Sequence, residues 1–393
     1  MGMPFGVSSR YLVIAGNETL LTNMEELLSN AEMYYIDVYK VMELRKNLAN
    51  FYLMRRNYVS CQKMVDWLLV KRPSFFLPLM SNKDRAIYAM YLTEIGMYES
   101  WSKSNEAGAM KYLKEAEEVA QKVSEYPEMK FTLYAQLAQT YVFIGDLENT
   151  SKNMEAVESI LKQYPDGDFD MGLVWYIKAK LELIRGDYKR ALDCILKNIE
   201  VEAHLPQDTF TAPTYIMQAE ILNYLGKHDE AYKISGRLYK QETEIFKEDH
   251  EIHARILVQL SRAELGMGNI KRAVEYVTSA KAIYAKLSPV KDISALTDTK
   301  IAAAFVTEGD ALASLGKVNE AAEVYATAET IYFNAYRENM KLLDNISYMY
   351  YNAAVATHSL KDKFWYNKFS SSLFEKFDRE HFRSMALLKA FPE

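Results

Sequence analysis

The feature of this sequence that most constrains its fold is a glycine followed five residues later by alanine or another small residue. Gly186 precedes Ala191 in this way, and Gly268 precedes Ala273 and then Ala280. Successive glycines of this kind are about 40 to 48 residues apart, a spacing typical of helical repeats. The set, called the turn glycines below, is Gly145, Gly186, Gly226, Gly268 and Gly316.

A second small residue stands seven positions before each turn glycine. These residues are Ala138, Ala179, Ala219, Ser261 and Gly309. Two antiparallel helices joined by a short turn approach closely only where small side chains meet at the crossing. The pattern therefore predicts one helix pair around each turn glycine, with the small residues at the crossing.

Weaker copies of the pattern extend the series. Arg56 and Lys361 can take the place of the turn glycine, and a further unit contains Ala109 and Ala116 after a turn lengthened over Trp101–Glu106. Apolar residues within "AVEYVTSAKAIY" recur at helical spacing, whereas sustained strand alternation is absent. The sequence thus predicts about eight helix pairs.

One unit supports a family resemblance. Trp175, Ala179, Gly186, Tyr188 and Ala191 stand in an order and spacing similar to the tetratricopeptide repeat (TPR) family. The resemblance covers about residues 42–375, and the long period with "EDHEIHARIL" resembles the kinesin-light-chain-like subclass. It implies an all-α fold, a right-handed α-solenoid of about eight helix pairs with terminal capping helices.

The ends of the chain are expected to close this array. We predict an N-terminal tail over residues 1–20 and a single helical-repeat domain over residues 21–393. Thr22 or Asn23 can cap a leading helix, and Arg379–Ala390 reads as a closing helix. The stretch "SPVKDISALTDTK" is expected to form a longer loop before the next helix.

Composition argues against several classes of protein. The net charge is −6, and no block of Lys and Arg is present to neutralise a run of phosphates, which disfavours nucleic acid as a partner. Two cysteines, Cys61 and Cys194, are too few for a disulfide framework or a Cys-rich zinc site, as expected in the cytoplasm. No apolar run approaches the roughly 18 residues that membrane insertion requires.

No residue pattern indicates catalysis. His250 and His253 are three residues apart, whereas a zinc protease helix needs two histidines four apart. Cys61 and Cys194 lie on the predicted packing stripe, which favours structural thiols over nucleophiles. A glycine-rich phosphate loop is also absent. We therefore expect no enzyme activity, no catalytic residue, no metal site and no cofactor.

The TPR resemblance implies that the first helix of each pair lines a concave groove. Residues ten and six before each turn glycine are four apart, so they share one helix face. Amides, cations and tyrosines at and beside these positions can hold an extended peptide. The predicted partner-binding residues are Lys46, Asn50, Gln139, Tyr176, Lys180, Arg255, Gln259, Arg262, Tyr351 and Asn352.

Three functions are compatible with such a groove. The leading hypothesis is a non-enzymatic adaptor or scaffold that binds a peptide segment of a partner protein. The alternatives are a regulatory peptide sensor and a structural subunit of a larger assembly, including a bacterial host-directed protein. A sensor with an N-terminal output module is less favoured, because the repeats begin near residue 42. Lys46 and Asn50 also resemble the start of a clamp for acidic C-terminal tails, which later units do not continue.

Overall fold

The computed structural model describes residues 18–33, 38–54, 58–71, 80–103, 105–167, 169–204, 211–245, 249–288 and 290–336. These ranges contain α-helices and one short 3-10 helix over Ile293–Ala295, and no β-strand occurs within them. The predicted all-α class is confirmed.

Fifteen α-helices lie in the described ranges. They are α1 (Glu18–Met33), α2 (Val38–Met54), α3 (Tyr58–Lys71), α4 (Asn82–Lys103), α5 (Glu106–Ala120), α6 (Pro127–Ile144), α7 (Leu147–Gln163), α8 (Met171–Arg185), α9 (Tyr188–Glu202), α10 (Ala212–Tyr224), α11 (His228–Ile245), α12 (Glu251–Gly266), α13 (Ile270–Leu287), α14 (Thr299–Ser314) and α15 (Val318–Tyr336).

The five turn glycines end five helices in the same way. Each has a positive φ, between 73° and 90°, which an L-residue with a side chain rarely adopts. The residue after the glycine donates its N–H to a carbonyl five residues back, as from Asn269 to Glu264 at 2.8 Å. This bond caps the first helix and starts the second helix after only a few residues. The glycine spacing thus marks helix pairs, as predicted.

The small residues lie where the two helices of a pair cross. Ala219 and Ala231 are both fully buried and belong to one apolar cluster with Leu222 and Ala263. In the pair α12–α13, the Ser261 hydroxyl donates to the carbonyl of Ala273 at 2.7 Å. The same two positions meet in α2–α3, where the Cys61 thiol donates to the Ala49 carbonyl at 3.4 Å. The predicted crossing is therefore confirmed.

Two details at helix ends differ from the expectation. The turn over Trp101–Glu106 is not lengthened, because α4 continues to Lys103 and α5 begins at Glu106. The leading helix begins at Glu18, so Thr22 and Asn23 lie inside it and do not cap it. The closing helix over Arg379–Ala390, and the unit around Lys361, lie outside the described residues. Residue 288 and residues 290–298 form the predicted loop after α13, with the 3-10 helix inside it.

Contacts between residues divide the chain into two compact units. Unit 1 comprises the described residues up to Ile177 with Ala203 and His204, and unit 2 comprises Lys178–Glu202 with the described residues from Thr211 onward. In unit 1, the first helices α2, α4 and α6 pack against one another in sequence. In unit 2, α10, α12 and α14 do the same. The prediction of one domain over residues 21–393 stays a prediction.

Candidate functional site

Polar and aromatic side chains meet on the first helices of unit 2. We call this the first-helix surface of unit 2, and it consists of Glu220 and Tyr224 on α10, Arg262 on α12, and Thr307 and Asp310 on α14. Four of these side chains are half-buried, and Thr307 is fully buried beneath them. Glu220, Arg262 and Asp310 each stand six residues before a turn glycine, and their three helices pack side by side.

Arg262 joins the three helices of this surface. Its Nη1 is 3.4 Å from the Glu220 Oε1 atom on α10, and its Nε donates to the Thr307 hydroxyl on α14 at 3.2 Å. The guanidinium carbon also lies 5.8 Å from the centre of the Tyr224 ring, within the range of a cation–π contact. Ion pair, hydrogen bond and ring together hold the Arg262 side chain in one position.

Aromatic rings form the floor beside Arg262. The Tyr224 ring stacks on Tyr188, with centroids 4.9 Å apart and an angle of 11° between the planes. Burial raises the pKa of Tyr224 above its ordinary value, although the nearby Arg262 charge acts in the opposite direction. Both rings are therefore neutral phenols at physiological pH. The half-buried Tyr224 ring offers apolar area that loses little conformational entropy when a ligand binds, and the buried Tyr188 ring holds it in place.

Asp310 is fixed by the second helix of its own pair. The Tyr325 hydroxyl donates to Asp310 Oδ1 at 2.9 Å. The Tyr325 ring lies so close to Gly309 that a Cβ at this position would overlap it. Glycine at the crossing thus admits the ring that orients the neighbouring carboxylate.

Further along α12, Gln259 and Arg255 differ in their contacts. Gln259 is buried, and its backbone and side-chain oxygens accept hydrogen bonds from Asn223 Nδ2 at 3.1 and 3.3 Å. Arg255 is half-buried and forms no hydrogen bond or ion pair with another residue of the described ranges. Arg255, Gln259 and Arg262 lie on one side of α12, because they are four and three residues apart. Arg255 is therefore the cation on this side with donors to offer a ligand.

Positions ten residues before the turn glycines are buried, in contrast to the expectation that they face a groove. Tyr176 is 2% exposed and its ring lies 6.1 Å from Phe143. The positions six before the glycine stay partly exposed in unit 2. The buried set is Ala135, Tyr176, Ile216, Val258 and Val306.

The other predicted partner-binding residues are spread over the chain. Gln139 on α6 is buried, and Lys180 on α8 is half-buried. Burial lowers the pKa of Lys46 on α2, and the nearby carboxylates of Glu94 and Glu43 offset part of this effect. Asn50 also lies in α2. Tyr351 and Asn352 lie outside the described residues.

Sequence reasoning missed Tyr224 and Thr307. Thr307 stands nine residues before Gly316, the same offset at which Gln259 precedes Gly268. This shared offset is a signal that could have identified Thr307. Tyr224 stands two residues before its turn glycine, where the helical pattern alone gives no reason to single it out.

Cysteines and histidines have structural contacts. Burial raises the pKa of the Cys61 thiol and of the half-buried Cys194 thiol. His250 caps α12, because its Nδ1 accepts the N–H of Ile252 at 3.2 Å. No group of three or more His, Cys, Asp or Glu side chains in the described part of the chain is placed to hold a metal ion. Within the same ranges, none of the helices combines the length and apolar character that crossing a membrane requires.

Helix pairs with glycine turns and small crossing residues define an all-α helical-repeat protein. A family model described as "Tetratricopeptide repeat" matches residues 210–286, which span the pairs α10–α11 and α12–α13. Residues 210–286 of this chain therefore match the tetratricopeptide repeat family. A comparison with curated protein sequences gives no match.

Solved structures with the same fold include two with a TM-score above one half. NprR in complex with its cognate peptide NprX has a TM-score of 0.56 and 13% identity, over 84% of this chain and 87% of that chain. Rap protein complexed with competence and sporulation factor has a TM-score of 0.51 and 13% identity, over 72% and 77%. At these identities the likeness concerns the fold.

A third similar structure is a putative kinesin light chain from Podosopora anserina with nearly identical TPR-like repeats. Its identity is 14% over 51% of this chain and 96% of that chain, and its TM-score is 0.38. A likeness at this level carries no argument about the subclass. The kinesin-light-chain-like assignment thus rests on the sequence pattern.

Proposed function

We propose that this protein is a non-enzymatic peptide-binding protein, and that a partner's peptide segment lies across the first-helix surface of unit 2. The observation that carries the proposal is the contact of Arg262 with both neighbouring first helices, through Glu220 and Thr307. These contacts fix charged and aromatic groups before any ligand arrives. Preorganised groups of this kind lose less entropy on binding than mobile ones.

The chemistry of the surface suits an extended peptide. A peptide backbone needs donors and acceptors, and its acidic side chains need cations. Arg255 offers guanidinium donors that no described residue occupies, and guanidinium binds carboxylate with two parallel hydrogen bonds in favourable geometry. The half-buried Tyr224 ring, stacked on the buried Tyr188 ring, adds apolar area. Charge, hydrogen-bonding groups and rings on one surface favour a peptide over a purely apolar ligand.

The test begins with a random peptide library selected on the immobilised full chain. Fluorescence anisotropy then compares the enriched peptides on wild type, on Arg255→Glu and on the control Lys271→Glu. Lys271 is exposed on the second helix α13, so the control makes the same charge change away from the surface. We expect Arg255→Glu to weaken binding about tenfold, because a charge-assisted hydrogen bond contributes roughly 1.5–3 kcal/mol.

Two results contradict the proposal. One is a library selection that enriches no peptide. The other is an enriched peptide that loses affinity with Lys271→Glu and keeps it with Arg255→Glu. Reversal of Arg262 is a poorer test, because a carboxylate there would face Glu220 and disturb the fold.

A regulatory peptide sensor is the second candidate. The observation that favours it is the likeness to NprR, a structure solved with its cognate peptide, over 84% of this chain. A sensor must change the population of two conformations when its peptide binds, whereas an adaptor need not. Small-angle scattering of the full chain with and without the enriched peptide separates the two. An unchanged profile at saturating peptide favours the adaptor.

A further inference from the structure

Two arginines on the same side of α12 have opposite environments. Arg262 is held by Glu220, by the Thr307 hydroxyl and by the Tyr224 ring. Arg255, seven residues earlier, is half-buried and forms no hydrogen bond or ion pair within the described ranges. A half-buried guanidinium loses part of its hydration, and here no acceptor from these ranges replaces the water. One arginine is thus satisfied within the protein, and the other can still bind a partner.

The sequence of α10 accounts for the difference on one side of α12. First helices run in the same direction, because each is joined to the next through one antiparallel second helix. Seven residues make two helical turns, or about 10.5 Å, so positions seven apart share one helix face. Seven residues before Glu220 and Tyr224 stand Pro213 and Met217. Proline has no polar side-chain atom and the methionine sulfur is a weak acceptor, so α10 offers Arg255 no carboxylate.

The sequence of α14 accounts for the difference on the other side. Lys300 stands seven residues before Thr307, and its Nζ lies 3.3 Å from Glu251 Oε1 and 3.7 Å from Asp298 Oδ1. Glu251 is one turn before Arg255 on α12, so this ion pair joins α14 to the same end of α12. Lysine donates hydrogen bonds and accepts none. Where Arg262 has a hydroxyl acceptor, Arg255 has a second cation instead.

We infer that Arg255 binds one carboxylate of a peptide ligand, and that binding requires this carboxylate. A carboxylate brings a negative charge and the two oxygens that accept parallel hydrogen bonds from a guanidinium. Its source is either the C-terminus of the peptide or an Asp or Glu side chain. A second carboxylate adds little, because Glu220 already occupies Arg262. This inference rests on the proposed function and adds the ligand group that the surface requires.

The first experiment separates the two sources with three random decapeptide libraries, each selected on the immobilised wild-type full chain. The first library lacks Asp and Glu and ends in an amide, so it carries no carboxylate. The second lacks Asp and Glu but has a free C-terminus, and the third contains Asp and Glu but ends in an amide. We expect no enriched peptide from the first library. Enrichment from the second identifies the chain end as the bound group, and enrichment from the third identifies a side chain.

A variant of α10 then tests where the carboxylate binds. Pro213→Glu gives Arg255 an acid at the place where Glu220 serves Arg262, and Pro213→Gln is a control of similar size without the charge. Pro213 lies in the first turn of α10, where a carboxylate is favourable. Fluorescence anisotropy should show about tenfold weaker binding of the enriched peptides to Pro213→Glu than to Pro213→Gln. Circular dichroism and thermal melting check that both variants fold.

The opposite change is expected at Arg262, and it decides the question if the Pro213 variants do not fold. Glu220→Gln removes the internal acid with little change of shape, so the Arg262 guanidinium becomes available to a ligand. Selection of an unrestricted library on this variant should enrich peptides with one more carboxylate than those selected on wild type. An unchanged number of carboxylates would contradict the inference that an internal acid decides which arginine binds the ligand.

Enrichment of peptides from the library without carboxylates overturns the inference, and the proposed peptide-binding function then still stands. Equal affinity of the enriched peptides for folded Pro213→Glu and Pro213→Gln also overturns it. If none of the three libraries yields a peptide, the inference is overturned as well. The unrestricted library on wild type then decides the proposed function by itself, since its peptides combine all of these groups.

Discussion

The two helices of one pair, α12 and α13, differ sharply in how much of their surface is buried. Twelve of the sixteen residues of α12 are buried, whereas α13 buries Ala273, Val277, Ala280 and Tyr284. Helix α12 is contacted by α10, α11, α13 and α14, whereas α13 packs against α12 and α14. First helices are therefore surrounded, and second helices have a free side. Substitutions should therefore destabilise the fold more on first helices than on the free side of second helices.

The largest expected effect on the free energy of unfolding comes from an acidic residue on the buried side of a second helix. Glu242 on α11 is 5% exposed, and burial raises its pKa to about 7. Its folded-state pKa lies above the unfolded value, so stability is lost as pH rises from about 4.5 to 7. Glu242→Gln should raise the free energy of unfolding at pH 8 by on the order of 3 kcal/mol.

The same substitution should gain less than about 1 kcal/mol at pH 5, where the folded carboxyl is already protonated. Urea denaturation at both pH values measures the difference. Glu244→Gln is the control, because this neighbouring acid is exposed. An equal gain at both pH values would show that ionisation of Glu242 is not the cause.

The second effect directly tests the crossing between the first and the second helix of a pair. Ala219 on the first helix α10 is fully buried, and Leu at this position should lower the free energy of unfolding by ~1–3 kcal/mol through overpacking. Ala282→Leu on the exposed side of α13 makes the same change with an effect within about 0.5 kcal/mol. Thermal melting compares the two. Equal melting temperatures would mean that Ala219 is not at a crossing.

The smallest effect uses two glycines of one pair. Gly226 has φ +73° and Gly236 lies inside α11, and a Cβ would meet no atom within 4 Å at either position. Gly226→Ala should destabilise the fold by about 1 kcal/mol through backbone strain, whereas Gly236→Ala should stabilise it by up to about 1 kcal/mol. Changes of the same sign in chemical denaturation would contradict the role of the turn conformation.

Much of the fold could be predicted because its constraints are local. A turn glycine and the small residues around it belong to one pair, so one stretch of sequence carries the whole pattern. The burial of Tyr176 and the contact of Arg262 with Glu220 and Thr307 could not be predicted. They depend on helices about 40 residues away in sequence, and the periodicity of a single helix contains no information about its neighbours.

The candidate site could also be predicted only in part from the sequence. Arg262 stands six residues before Gly268, which predicts its helix face, and it does lie on the first-helix surface. Its engagement by other side chains was not foreseen, and this is why Arg255 becomes the more informative residue for binding experiments.

The raised pKa of both native thiols has a practical consequence for labelling. Maleimide dyes react with the thiolate, and burial keeps Cys61 and Cys194 largely protonated at neutral pH. A cysteine introduced at an exposed position should therefore take up a fluorophore much faster than either native one. Single-molecule distance measurements could then follow unit 2 without first replacing the two residues.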